Sequence, residues 1–110
     1  MLRDDDVQEM SEAVTELVSE MLSRNGLTSD ALVSILFTAT PDLKCAFPAA
    51  AARSLGLVDV PLICAQELDV RGALPRVVRV LAHAECDVPR AEIQHVYLRG
   101  AEALRQDLAT

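Results

Sequence analysis

Between Val7 and Leu22 the apolar residues return every third or fourth position: Val7, Met10, Val14, Leu17, Val18, Met21 and Leu22. That spacing describes four turns of an amphipathic helix, which must lay its apolar stripe on something. Glu9, Glu12, Glu16 and Glu20 fill the other face, which reads as plain solvent exposure, and Asn25-Gly26 supplies the stop. Beyond Gly26 the chain alternates short helix and strand signals, so the layer beneath this helix is a sheet.

The segment LTSDALVSILFTAT (27–40) offers Thr28 or Ser29 as cap of a short helical turn, then a β-rich run ended by Pro41. FPAAAARSLG (47–56) predicts a helix with Pro48 in its first turn and Gly56 just past its end. VPLICAQELDV (60–70) predicts a second strand. RVVRVLAHAE (76–85) predicts a third, with Arg79, Leu81 and His83 on one side and Val78, Val80 and Ala82 on the other. IQHVYL (93–98) predicts a fourth, placing His95 and Tyr97 on one face. With no linker or repeat, residues 1–110 form one α/β or α+β domain, a mixed sheet covered by helices.

One position resists this reading. Glu67 follows an apolar run, Leu62, Ile63, Cys64 and Ala65, with no turn residue to announce the surface. On composition alone it belongs to solvent.

The chain as a whole narrows the possible chemistry. Hydrophobic residues make up 51% of it and aromatics 3%, so Ala, Val, Leu and Ile build the core and apolar surface remains for a partner subunit. A net charge of −7 argues against nucleic acid. No apolar run has the length of a membrane span, and the acidic start MLRDDD is the reverse of a signal peptide. Three widely spaced cysteines suggest reduced thiols in the cytoplasm, and no Cys or His pair has metal-ligand spacing. Four glycines provide no phosphate loop. Taken singly, Cys64 is a small buried side chain, His83 and His95 are packing residues, Arg76 and Arg79 are a solvated strand edge, and Tyr97 is a half-buried strand residue.

Taken in order, the segments TATPDLKCAFPAAAARSLG, VPLICAQELDVRGALPRVVRVLAH and DVPRAEIQHVYLRGAEALRQDL closely resemble the monofunctional chorismate mutases of the bacterial AroH type. The resemblance runs from about Arg3 to Leu108. It implies an α+β fold of chorismate-mutase type, assembled as a homotrimer with a pseudo-barrel core and with sites between neighbouring subunits. It implies the rearrangement of chorismate to prephenate, without cofactor, metal or covalent intermediate. The substrate must be held compact, and a fixed cation must meet the ether oxygen on which negative charge grows.

Carried over by resemblance, Arg79 is that cation. Glu67 accepts a hydrogen bond from the ring hydroxyl and faces the developing positive charge, Cys64 sits near the same hydroxyl, and Tyr97 binds a substrate carboxylate. Phe47, Ala49, Ala50 and Arg53 line the site from the adjacent subunit, while Leu62, Ile63, Leu104 and Arg105 line and close it. Two departures stand out: some relatives carry lysine at the position of Ala50, and the family's N-terminal strand, with a carboxylate-binding arginine, lies upstream of Met1. Arg3 matches a later, non-catalytic position, so the short chain is expected to be a weak enzyme. The competing expectation is a trimer that binds a small carboxylate ligand without turning it over.

Overall fold

The computed structural model describes residues 1–104. Helix α1 (Val7–Arg24) starts where the acidic N-terminus can satisfy its free N–H groups. Asp6 is the N-cap and accepts the Glu9 N–H at 2.8 Å, and the Glu9 carboxylate reaches back to the N–H groups of Arg3 and Asp4. This is a variant of the capping box, displaced one turn outward. The helix ends at Asn25, with Gly26 in the left-handed region at φ 63°.

A single 3-10 turn, Ser29–Ala31, with Thr28 at its cap position, leads into strand β1 (Leu32–Ala39). Helix α2 (Pro48–Ser54) opens on proline and stops at Leu55, with Gly56 following at φ 90°. Strands β2 (Leu62–Gln66) and β3 (Val78–Ala84) complete a sheet of order β2-β1-β3. β2 runs parallel to β1 and β3 antiparallel, so the sheet is mixed. The fold is α+β, as the sequence predicts.

β1 decides what each face of the sheet becomes. Ile35 and Phe37 point to the helices and join Met10, Val14 and Val18 of α1 and Ala49, Ala51 and Ala52 of α2 in one core. Phe37 has 0% of its surface exposed; burying such a ring stabilises the fold by about 3 kcal/mol. Leu36 and Thr38 point the other way. The register sets Ile63, Leu36 and Leu81 in one row across that second face, where Ile63 is 63% and Leu81 56% exposed. On β3, Arg79, Leu81 and His83 share the open face and Val78, Val80 and Ala82 the core face, again as predicted.

The predicted fourth strand is absent. Residues 93–98 join no ladder. The side-chain amide of Asn25 takes both main-chain bonds of Gln94, donating to its carbonyl at 3.0 Å and accepting its N–H at 2.8 Å. Alternation at Ile93, His95 and Tyr97 suits a strand, but a strand exists only where its main chain meets an edge, and here a side chain meets it first. Among the described residues no helix is long and apolar enough to cross a membrane.

The N-terminal segment is latched to the β1–α2 loop. Asp5 Oδ1 accepts the N–H groups of Lys44 (2.9 Å) and Cys45 (3.0 Å). Hydrogen bonds from the Cys45 thiol and the Lys44 N–H hold the Asp5 carboxyl below its ordinary pKa; bonds from Arg3 and Asp4 do the same for Glu9. Burial and Asp5 together push the Cys45 thiol up. A carboxylate whose folded pKa is depressed contributes stability above its unfolded pKa and loses it as pH falls. The thermal midpoint is therefore expected to fall from roughly pH 5 downward, and Asp5→Asn should flatten part of that slope. An unchanged acid limb in Asp5→Asn would show that the latch contributes nothing.

Candidate active site

Glu67 is the first residue past β2, and its N–H continues the ladder by donating to Ala39 O at 2.9 Å. Its backbone is thus fixed as firmly as that of a strand residue. Its side chain turns over the open face of the sheet, where Glu67 Oε2 lies 2.9 Å from Arg79 Nε. The two residues come from opposite edges of the sheet and meet above the central strand. Thr38 lies between them, in register with Ala65 on one side and Arg79 on the other, and its hydroxyl donates to the same Oε2 at 2.9 Å.

This arrangement is unequal in a useful way. The Glu67 side chain is 17% exposed and that of Arg79 is 54% exposed. An ion pair this open adds at most about 1 kcal/mol to stability, so stability is a weak reason for it. Both contacts fall on Oε2, a hydrogen bond from Thr38 and an ion-pair contact from Arg79, and no described residue hydrogen-bonds Oε1. Arg79 uses Nε on Glu67, which leaves its two Nη groups for another partner. A carboxylate oxygen and a guanidinium edge are thus presented together.

β3 is aimed by the turn at its foot. The Thr40 N–H donates to Val77 O at 3.0 Å, and Thr40 Oγ1 accepts the Val77 N–H at 3.0 Å. Asp42 accepts the Arg76 N–H on both carboxylate oxygens, at 3.1 and 3.0 Å. Arg76 adopts φ 50°, a left-handed conformation that β-carbon-bearing residues rarely enter, and its Nε is held by Leu2 O at 2.9 Å. Arg79 stands three residues beyond this clamp. Periodicity marks none of Thr38, Thr40 and Asp42, and the resemblance covers all three in TATPDL without giving any of them a role in the site. The available signal was TATPD itself, a Thr-Pro-Asp turn whose side chains bond nearby main chain.

The other candidate residues divide. Phe47 is 74% exposed, and Ala50 and Arg53 lie exposed on the same side of α2. Ala49 is buried in the core. Leu62 and Cys64 pack their side chains toward the helices, on the opposite face from Arg79, whereas Ile63 lies on the open face. Tyr97 is half-buried and borders, with Arg79, a cavity of about 510 Å³ between α1, β3 and residues 93–101. Leu104 ends the 3-10 turn Ala101–Leu104, and Arg105 lies outside the described residues. One chain therefore brings together Arg79, Glu67 and the unpredicted Thr38. Among the described residues no group of His, Cys, Asp and Glu is placed to hold a metal ion.

The profile of the family described as chorismate mutase type I matches residues 1–108. The chain belongs to that family. It is 46% identical over 108 residues to chorismate mutase AroH of Thermus thermophilus, covering 97% of this chain and 88% of that protein. It is 39% identical over 106 residues to chorismate mutase AroH of Bacillus subtilis, covering 96% of this chain and 84% of that one. The solved chorismate mutase of Clostridium thermocellum superposes with a TM-score of 0.91 at 41% identity, covering 93% of this chain and 91% of the other. Activity follows with the family: this is an isomerase of the chorismate mutase type.

The Asp42 clamp makes a prediction about the site's scaffold. Asp42→Ala removes the acceptor of the Arg76 N–H and of the Thr40 hydroxyl, which lies 2.5 Å from Oδ1. Hydrogen bonds to a charged group are worth roughly 1.5–3 kcal/mol. Denaturant unfolding should show a loss of that order. A loss below about 0.5 kcal/mol, the ordinary range for a surface substitution, would mean that Arg76 holds its conformation without Asp42.

Proposed function

We propose that the Glu67–Arg79 pair is the catalytic centre for the conversion of chorismate to prephenate. The observation that carries this is the pair itself, two opposite charges joined above the central strand with one carboxylate oxygen and two guanidinium nitrogens left over. The reaction is an isomerisation: an ether C–O bond breaks, a C–C bond forms, and no proton or electron is gained or lost. It asks for a compact conformation and for charge complementarity, and for no nucleophile, metal or cofactor.

The residues meet that demand as follows. The free Nη edge of Arg79 binds the ether oxygen, and its attraction strengthens as that oxygen becomes negative. Because the Glu67 charge already lies 2.9 Å from Nε, the guanidinium is kept in place when the charge develops, the condition under which a fixed charge lowers a barrier most. Glu67 Oε1 accepts the ring hydroxyl and faces the positive charge growing on the ring. Cys64 serves through its main chain, since its thiol packs on the core side. Tyr97 binds a substrate carboxylate from the border of the cavity it shares with Arg79.

The remaining half of the pocket comes from a second subunit of a homotrimer. The uncovered row Ile63–Leu36–Leu81 is apolar surface of the kind a partner hides. Phe47, Ala50 and Arg53 form an exposed stripe that no hydrogen bond or ion pair links to Glu67 or Arg79 within the chain. They reach the pocket of the neighbour. The chain acts as one domain, in the cytoplasm, where its three free cysteines stay reduced.

Arg79→Lys keeps the charge and loses the planar fork that binds Glu67 and the substrate together. It should lower kcat by at least about a hundredfold, as loss of one preorganised donor does, and near-normal turnover would remove Arg79 from the mechanism. Assembly has a separate test. Arg53→Ala should lower activity, and mixing it with Arg79→Lys should restore some by pairing intact half-sites. Sedimentation of a fully active monomer would contradict the shared pocket.

A further inference from the structure

Nothing in the sequence singles out Thr38, yet its side chain bonds the pair from the central strand. It lies on the central strand, on the open face, in register with Ala65 of β2 and Arg79 of β3. Its neighbour toward β2 is alanine, whose single methyl leaves room for the Glu67 side chain to lie back across the sheet. The hydroxyl meets that side chain with a 2.9 Å hydrogen bond to Oε2.

We propose that Thr38 is a positioning residue for this reaction: its hydroxyl fixes the rotation of the Glu67 carboxylate so that Oε1, and not Oε2, faces the substrate. The proposal rests on the role given to Glu67 under the proposed function. Without a donor beneath it, the carboxylate would be free to turn and pair with the Nη edge of Arg79 in the parallel two-bond geometry that guanidinium and carboxylate adopt. That geometry would use both oxygens of Glu67 and the very nitrogens needed at the ether oxygen. The Thr38 bond keeps the contact between Glu67 and Arg79 at Oε2 and Nε. A serine would supply the same hydroxyl; valine has the shape of threonine and supplies none.

The effect should therefore fall on turnover and depend on Glu67. Thr38→Val is expected to lower kcat roughly tenfold, the lower end for a lost bond to a charged group, with a much smaller change in KM. Thr38→Ser should return kcat to within about threefold of the parent, since the bond to the carboxylate is restored. In a double-mutant cycle, Thr38→Val should add nothing to the defect of Glu67→Ala. Parental kcat in Thr38→Val, no recovery with serine, or a full extra loss on the Glu67→Ala background would each overturn the proposal. Full activity in Glu67→Ala alone would strike the role of Glu67 itself, and this proposal with it.

Discussion

Every pairing in the sheet passes through β1. Its main chain is shared between a parallel and an antiparallel neighbour; past a register shift between Leu32 and Ser34, its side chains from Ser34 to Ala39 alternate between two environments. Phe37 closes the core on one side; Thr38 supports the charge pair on the other. A one-residue slip of β1 would exchange the two faces, setting a hydroxyl in the core and an aromatic ring beneath Glu67. Packing and chemistry are thus secured by one register, and the burial of Ile35 and Phe37 is what makes that register hard to lose.

Two sets of charged residues differ in what they bond. Asp5, Glu9 and Asp42 bond main-chain N–H groups of the N-terminus and of the loops flanking the sheet. They hold irregular backbone where no ladder can. Glu67 and Arg79 bond each other, in partial contact with solvent, and keep atoms in reserve. The first group explains how a chain with so few aromatic side chains keeps its connecting segments in one conformation. The second is the pair proposed above to serve the reaction.

Much of this is legible in the sequence where periodicity and punctuation agree. The stripe from Val7 to Leu22, Pro48 and Gly56 around α2, and the alternation of Val78 to His83 each reflect a local preference that the tertiary structure also rewards. Residues 93–98 show the limit. Their alternation is genuine, but the partner that decides between strand and loop is Asn25, far away in the chain. Arg79 and Glu67 were recognisable through the ordered motifs around them, whereas Thr38 was not: a threonine in a strand is ordinary until register shows what lies on either side of it. Cys64 and Ala49 mark the opposite case, residues carried over by resemblance whose side chains point into the core.

The central claim is that this chain rearranges chorismate with its own side chains alone. The most direct measurement follows chorismate loss and prephenate formation by the purified chain, in chelator and without added cofactor. Saturable turnover is the predicted result, with one prephenate formed for each chorismate consumed. Binding of chorismate without any acceleration over the uncatalysed rate would contradict the claim, and would leave the Glu67–Arg79 pair as a carboxylate-recognition site.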